Sequence, residues 1–267
     1  MGSTISNWGP ITWTRAQAPK TQSGAAYEQI RADIISGRLK PGTKLLSERV
    51  KAQYGVGSSP LREALSHLTA SGLVRAEDQK GFRVVEVSLG ELIDVARLRL
   101  RLEIQAIEDS VRQGDLDWEV EVVSCFHRLQ HAVAGASRDN DRDYATEWED
   151  SHRAFHFAIM GACGSPWLKH FCDRLYDQTE RYRRIFVKYQ KIPSDLLREH
   201  KQMMELALAR NIDGVCDLMR SHIIYAAELT ERDMRAAGVM DADRFPTGIR
   251  QLVLPEMTDP QVRSHDR

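Results

Sequence analysis

Apolar residues recur at intervals of three and four along most of this chain, the spacing of helices that bury one face. Ala26, Ile30 and Ile34 open the series, and Gly37 with the Pro41-Gly42 turn closes the first helix. Leu46, Val50 and Tyr54 mark a second helix of about two turns. A turn from Gly55 to Ser59 follows, and Leu61, Ala64, Leu65 and Leu68 define the buried face of a third helix. Pro60 falls in the first turn of that helix, where its missing N–H has no intrahelical partner to lose. The period then changes. Leu73-Val74-Arg75-Ala76 and Phe82-Arg83-Val84-Val85 read as short strands joined by Glu77 to Gly81, a hairpin with Lys80 at its tip. Helices across a glycine-containing turn, with a hairpin after them, predict a winged helix-turn-helix whose last helix enters a DNA major groove. The side of that helix outside the apolar stripe begins with Ser58 and Ser59 and continues through Arg62, Glu63 and Ser66. Serine N–H and hydroxyl groups suit phosphates, and arginine reaches guanine O6 and N7.

Beyond the hairpin the chain returns to helical spacing. Ser88 and Glu91 have the S-x-x-E spacing of a capping box, and Leu92, Val95, Leu98, Leu102, Ala106 and Ile107 follow as one stripe. Further helical patterns cover 116–134, 142–162, 166–189, 195–209 and 212–236, separated by glycine, proline and asparagine breaks. The expected fold is therefore mainly α: a winged helix-turn-helix over 23–87, then an all-helical antiparallel bundle over 88–237. Residues 1–22 and 238–267 lose the periodicity and read as tails.

Charge adds to this picture. Residues 23–87 hold ten Lys/Arg against seven Asp/Glu, a local balance of +3 in a chain whose total is −1. Positive charge is concentrated where a polyanion would be met. No apolar run approaches the ~20 residues of a membrane helix, and Met1 to Gln22 lacks the basic and apolar regions of a signal peptide. A cytoplasmic protein with no membrane partner is expected. The four cysteines, at 125, 163, 172 and 216, form no C-x-x-C pair and are expected as reduced, buried thiols.

Candidate chemistry lies in the histidines. The stripe of the helix from Arg142 is Tyr144, Trp148, Phe155 and Ile159, and His152 and His156 flank it, one turn apart on the same side. His200 falls within the stripe of Leu196, Met203, Met204 and Ala207, and His222 within that of Val215, Met219, Ile223, Ala226 and Leu229. Four imidazoles thus point into one interior. Burying them without a common partner leaves donors and acceptors to satisfy, whereas one divalent cation takes a lone pair from each neutral ring. Nitrogen ligands suit zinc first, and nickel or another first-row metal after it. His127 and His131 share the i, i+4 spacing but lie opposite the stripe of Trp118, Val122, Cys125, Leu129 and Val133, facing solvent.

The N-terminal motifs, GRLKPGTKL, SER, G-x-x-SPLREAL, SGLV and a G-F-R-V wing, resemble in order and near spacing those of the GntR family of bacterial transcription regulators. The helical remainder looks like the FCD domain of the FadR branch, so the resemblance spans roughly 23–236. It matches Arg49 and Arg62 to arginines that bind DNA, with Ser58 standing where the family usually has another. A homodimer on a palindromic double-stranded operator is expected because one wing-helix unit offers too small a basic surface for tight specific binding. Lys80 and Arg83 of the wing complete the expected DNA contacts. Many FCD domains bind a metal through an Asp-x-x-x-His pair and two later histidines. His156, His200 and His222 match the histidines, and His152 stands at the aspartate, which leaves the site neutral. The resemblance also implies a small organic acid as effector. Arg99 and Glu103 match the R-x-x-L-E pattern of the first FCD helix, and Arg181, Tyr182 and Arg184 sit in an ERYRR segment like that of a branch sensing short dicarboxylates. From the residues alone, Arg99 and Glu103 equally fit an ordinary i, i+4 pair, and 180–184 reads as a mostly solvated face from which one arginine turns inward.

The resulting expectation is a ligand-responsive regulator, a repressor released by a small acid bound near the metal. A purely structural metal with the effector elsewhere, and an acyl-CoA-responsive regulator without metal, stay open. A metal-dependent enzyme is remote, because H-E-x-x-H, G-x-S-x-G and phosphate-cradling glycine loops are all missing.

Overall fold

The computed structural model describes residues 21–77, 81–134, 141–187, 194–239 and 248–250. Lys80, the side chain of Tyr144 and most of both tails lie outside the described residues. The first helix, α1 (Gln22–Ile35), is capped by the Thr21 hydroxyl, which accepts from the Gly24 N–H at 3.0 Å. α2 (Ser47–Tyr54) ends at Gly55, whose φ of 63° makes it the left-handed C-cap. α3 (Ser58–Ala70) begins two residues later and buries Leu61, Ala64, Leu65 and Leu68.

A two-residue strand, β1 (Lys44–Leu45), joins β2 (Val74–Glu77) and β3 (Gly81–Val84) in an antiparallel sheet of order β1-β3-β2. Lys44 pairs with Arg83 and Ala76 with Phe82. The periodicity gives no sign of β1, which is too short to alternate. Ile30, Ile34, Leu45, Val50, Leu61, Leu65, Leu68, Leu73, Val74 and Val84 make the core beneath the sheet. Leu46, expected in that core, is 45% exposed because the helix starts one residue later and leaves it as the N-cap.

Six helices follow among the described residues: α4 (Leu89–Gln113), α5 (Leu116–Ala134), α6 (Asp141–Ile159), α7 (Pro166–Phe186), α8 (Ser194–Leu208) and α9 (Ile212–Ala236). Fold class and helix order are those the spacing predicts. Leu98 departs from its expected stripe and is 44% exposed. Only half of the expected capping box forms at the start of α4. The Ser88 hydroxyl accepts from the Glu91 N–H at 3.1 Å, but the Glu91 carboxylate turns to Arg181.

The chain divides into two compact units. Among the described residues, one contains 102–134, 141–172 and 194–219, the other 21–77, 81–101, 173–187, 220–239 and 248–250. In the first, α5 packs on α6 and α8. The buried Trp118 indole there donates to the Ala158 carbonyl at 2.9 Å, closing the end of α6. Arg210 donates to the Val111 and Gly114 carbonyls, both at 2.9 Å, and so caps the end of α4. In the second, Leu89, Leu92, Ile93, Ala96, Tyr182, Ala227, Met234 and Ile249 form an apolar core beside that of the helix-turn-helix. All four cysteines are buried and unlinked. Among the described residues no helix is long and apolar enough to cross a membrane.

Candidate functional site

The α3 helix presents its outward face as its spacing requires. Ser58, Ser59, Arg62, Glu63 and Ser66 are exposed, as is Arg49 on α2. No described side chain pairs with the guanidinium of Arg49 or Arg62, so both remain available to a polyanion. Gly57, the N-cap of α3, brings no side-chain cap to the first N–H groups of this helix. The sequence reading missed Lys51. Its ammonium lies 3.3 Å from the Ser58 hydroxyl and 2.8 Å from Glu48, adding a cation at the same helix end. Arg83 differs from the other candidate contacts, because it is tied down. Its Nε donates to Glu77 and its Nη1 to the Gly42 carbonyl, both at 2.6 Å. That hydrogen bond holds the Glu77 carboxyl below its usual range.

The histidines selected by helical phase are all buried: His152, His156, His200 and His222 are 3%, 0%, 1% and 5% exposed. One ring nitrogen from each falls within a cluster whose members all lie within 4.8 Å of one another. The Nε2 of His156 is 3.0 Å from that of His152 and 3.2 Å from that of His200. His200 Nδ1 is 2.6 Å from the Leu196 carbonyl one turn earlier, so Nδ1 carries the proton and Nε2 presents its lone pair. Trp148 stacks on His152 at 4.5 Å between ring centroids, and Phe155 packs edge-on to His200. Lone pairs that converge in an apolar surround repel one another until a proton or a cation sits among them. Nitrogens around a first-row metal, with bonds of ~2.0–2.1 Å, lie ~3.0–3.4 Å apart. The two spacings from His156 Nε2 fall in that interval, the four ligand atoms as a set lie within 4.8 Å, and the all-nitrogen donor set fits a divalent transition metal. His127 and His131 are exposed, as their phase requires.

The candidate effector residues fall into distinct groups. Arg99, 3% exposed, lies over the Tyr176 ring at 5.4 Å. Arg183 lies over the same ring at 5.2 Å and donates to the Tyr176 hydroxyl at 3.3 Å. Glu103 is fully buried, so an exposed i, i+4 pair with Arg99 does not describe this stretch. Arg181 and Tyr182 instead meet the start of α4. Arg181 donates to Glu91 at 2.9 Å, and the Tyr182 hydroxyl lies against that carboxylate and the Ser88 N–H. Burial, and then Glu91, push the Tyr182 hydroxyl above its ordinary range. Arg184 forms an i, i+4 pair with Glu180 at 2.7 Å. The segment Glu180 to Arg184, expected as mostly solvated, is thus corrected: Glu180, Arg181, Tyr182 and Arg183 are buried, because α7 is enclosed on both sides. Tyr176 and Glu91 were missed as members of these groups, since Arg99 and Arg181 lie far from them in sequence, and Arg183 followed Tyr176, its partner two turns earlier on α7.

Comparison with known proteins places this geometry. Residues 22–84 match the family described as bacterial regulatory proteins, gntR family, and residues 94–224 match the FCD domain. The chain is 39% identical over 199 residues to the HTH-type transcriptional regulator BphR of Paraburkholderia xenovorans, covering 74% of this chain and 81% of that protein. It is 32% identical over 212 residues to the HTH-type transcriptional repressor GlaR of Escherichia coli, covering 78% and 95%. A solved GntR regulator from Rhodococcus sp. RHA1 shares the fold with a TM-score of 0.65 at 16% identity, over 79% of this chain and 98% of that one. These relatives are regulators and not enzymes, in keeping with the motifs the sequence lacks. The chain belongs to the GntR family of DNA-binding transcription regulators and carries an FCD domain behind its winged helix-turn-helix.

Proposed function

We propose that this regulator is a repressor that binds a palindromic operator as a homodimer and leaves it when a small organic acid binds beside a metal held by His152, His156, His200 and His222. Residues 23–87 read the DNA and 88–237 sense the effector. The convergence of three Nε2 atoms at 3.0 and 3.2 Å carries the metal part of this reading. Zinc fits four neutral nitrogens best, with nickel or another first-row ion as a substitute. When bound, the metal supplies a Lewis-acidic centre for a carboxylate; His200, oriented by Leu196, holds its lone pair ready without rearrangement. Arg99 supplies a buried guanidinium of the kind that pairs bidentately with carboxylates. The exposed α3 face carries the DNA part. One such face is a small basic surface, and two-fold pairing doubles it. Repression follows the name of the 32%-identical relative GlaR.

Release requires the acid to bind the non-binding arrangement more tightly than the DNA-binding one. Titration of C4 to C6 dicarboxylates against the protein–operator complex, with metal-loaded and chelated protein and Arg99→Ala, tests this. One or more acids should release DNA from the loaded protein only. A second reading rests on the donor count: four histidine nitrogens saturate a tetrahedral ion, as in structural zinc sites. If the chelated protein responds to the acid as the loaded one does, the metal is structural and the effector binds elsewhere.

A further inference from the structure

The C-terminal half of α7 has two working sides. At 3.6 residues per turn, Arg174, Asp177, Gln178, Arg181 and Ile185 share one side, while Tyr176, Glu180 and Arg183 lie opposite. The first side runs along the winged helix-turn-helix. Arg174 donates to the Tyr27 hydroxyl of α1 at 2.7 Å. One turn further along α1, Arg31 gives both Nε, at 2.8 Å, and Nη2 to the two oxygens of Asp177. Gln178 donates to the Ser71 carbonyl behind α3 at 3.2 Å, and Arg181 approaches the Val85 carbonyl behind β3 at 3.4 Å. A Cβ on Gly37 would stand 3.4 Å from Ile185. One stripe therefore touches α1, the end of α3 and the end of the wing. The opposite side holds Tyr176 between Arg99 and Arg183.

We propose that this polar stripe of α7 positions the DNA reader, with Asp177 and Arg31 as its principal pair. The inference rests on the operator-binding reading but concerns orientation, not contact with DNA. Its chemistry suits the task. A planar guanidinium gripping both oxygens of one carboxylate fixes angle as well as distance. Hydrogen-bonded contacts can also be exchanged for water when a domain changes its pose, which a dry apolar seam resists. Asp177, 1% exposed, sits at the middle of the stripe, so a turn or slide of α7 reaches the reader through it first. Neither residue lies on the outward face of α3.

The test uses the full chain and the variants Asp177→Asn and Arg31→Lys, which keep shape and stem while removing the two-pronged pair. Operators with the half-sites moved closer or further apart by one and two base pairs are titrated beside a single half-site. Amide exchange of α1 is measured without DNA. The wild type should prefer one spacing, and both variants should bind all spacings alike, with half-site affinity and metal content unchanged. Exchange in α1 should accelerate by roughly 10- to 100-fold, the factor carried by a lost charge-assisted hydrogen bond. Unchanged spacing preference and unchanged exchange in both variants would overturn the proposal. A loss of half-site affinity matching the loss at every spacing would overturn it too, since that is general damage to the reader. If the wild type prefers no two-fold site, the dimeric operator reading fails, and exchange in α1 decides the positioning stripe on its own.

Discussion

Replacing His200 by alanine removes the best-oriented donor of the histidine cluster. His200 is 1% exposed and its Nδ1 proton is fixed on Leu196, so its Nε2 lone pair has one direction, toward His156 at 3.2 Å. With neighbouring donors already at 3.0 and 3.2 Å, loading asks little rearrangement, and the binding free energy goes into stability of the folded state. At free metal about a hundredfold above the dissociation constant, that gain is ~2.7 kcal/mol. For a chain of this size, about 2–4 °C of melting temperature accompanies each kcal/mol, so the loaded protein should melt roughly 5–10 °C above the chelated one. The cavity left by His200→Ala lowers both melting temperatures. The difference between loaded and chelated forms cancels that common loss and isolates the metal. This difference should vanish in His200→Ala and persist in His127→Ala, whose imidazole is exposed on α5. Thermal unfolding of untagged protein with and without chelator, paired with elemental analysis, measures both quantities. Equal differences in the two variants, or metal retained at full stoichiometry by His200→Ala, would refute the reasoning.

Arg62→Ala and Arg49→Ala should each weaken specific operator binding by ~1–3 kcal/mol without changing thermal stability, because both side chains are exposed. Unchanged anisotropy titrations of the double variant would remove α3 as the reading helix. Gly55→Ala should destabilise the helix-turn-helix by about 1–2 kcal/mol, all of it backbone, since its φ is 63° and an added Cβ meets nothing within 4 Å. Denaturant unfolding gives the value, and no loss would mean the turn relaxes. Burial, and then the Glu121 carboxylate, push the Cys125 thiol up to about 12, so at pH 8 only about 10⁻⁴ of it is thiolate. The folded protein should resist iodoacetamide at Cys125, and fast labelling by mass spectrometry would contradict its burial.

Amphipathic period made most of the architecture legible. Ile30, Leu65 and Phe155 lie inside because their spacing leaves no other face, and the same phase turns His152, His156, His200 and His222 inward. What stayed hidden depends on distant partners. Charge alone reads Arg181 as solvated, yet Glu91, ninety residues away in sequence, takes it in. Glu91 itself fits a local role, the capping box, that its carboxylate abandons for a tertiary one. β1 shows no period because two residues cannot display one, and it exists only because Lys44 and Leu45 meet Arg83 and Phe82. Lys51 was passed over for a similar reason: its place beside Ser58 comes from the turn that folds α2 onto α3.

The Arg83–Glu77 bond in the wing bears on how ionic strength acts on this regulator. A bare cation that meets a duplex expels nearly one condensed counterion per phosphate neutralised, and the entropy of that release drives association. Arg83 arrives already matched by a carboxylate at 2.6 Å and braced by the Gly42 carbonyl. Such an arginine gives the hairpin a fixed shape at the backbone while expelling few ions of its own. Arg83 should therefore add little to the salt sensitivity of the complex, which is expected instead from cations with no carboxylate partner among the described residues, Arg49 on α2 and Arg62 on α3.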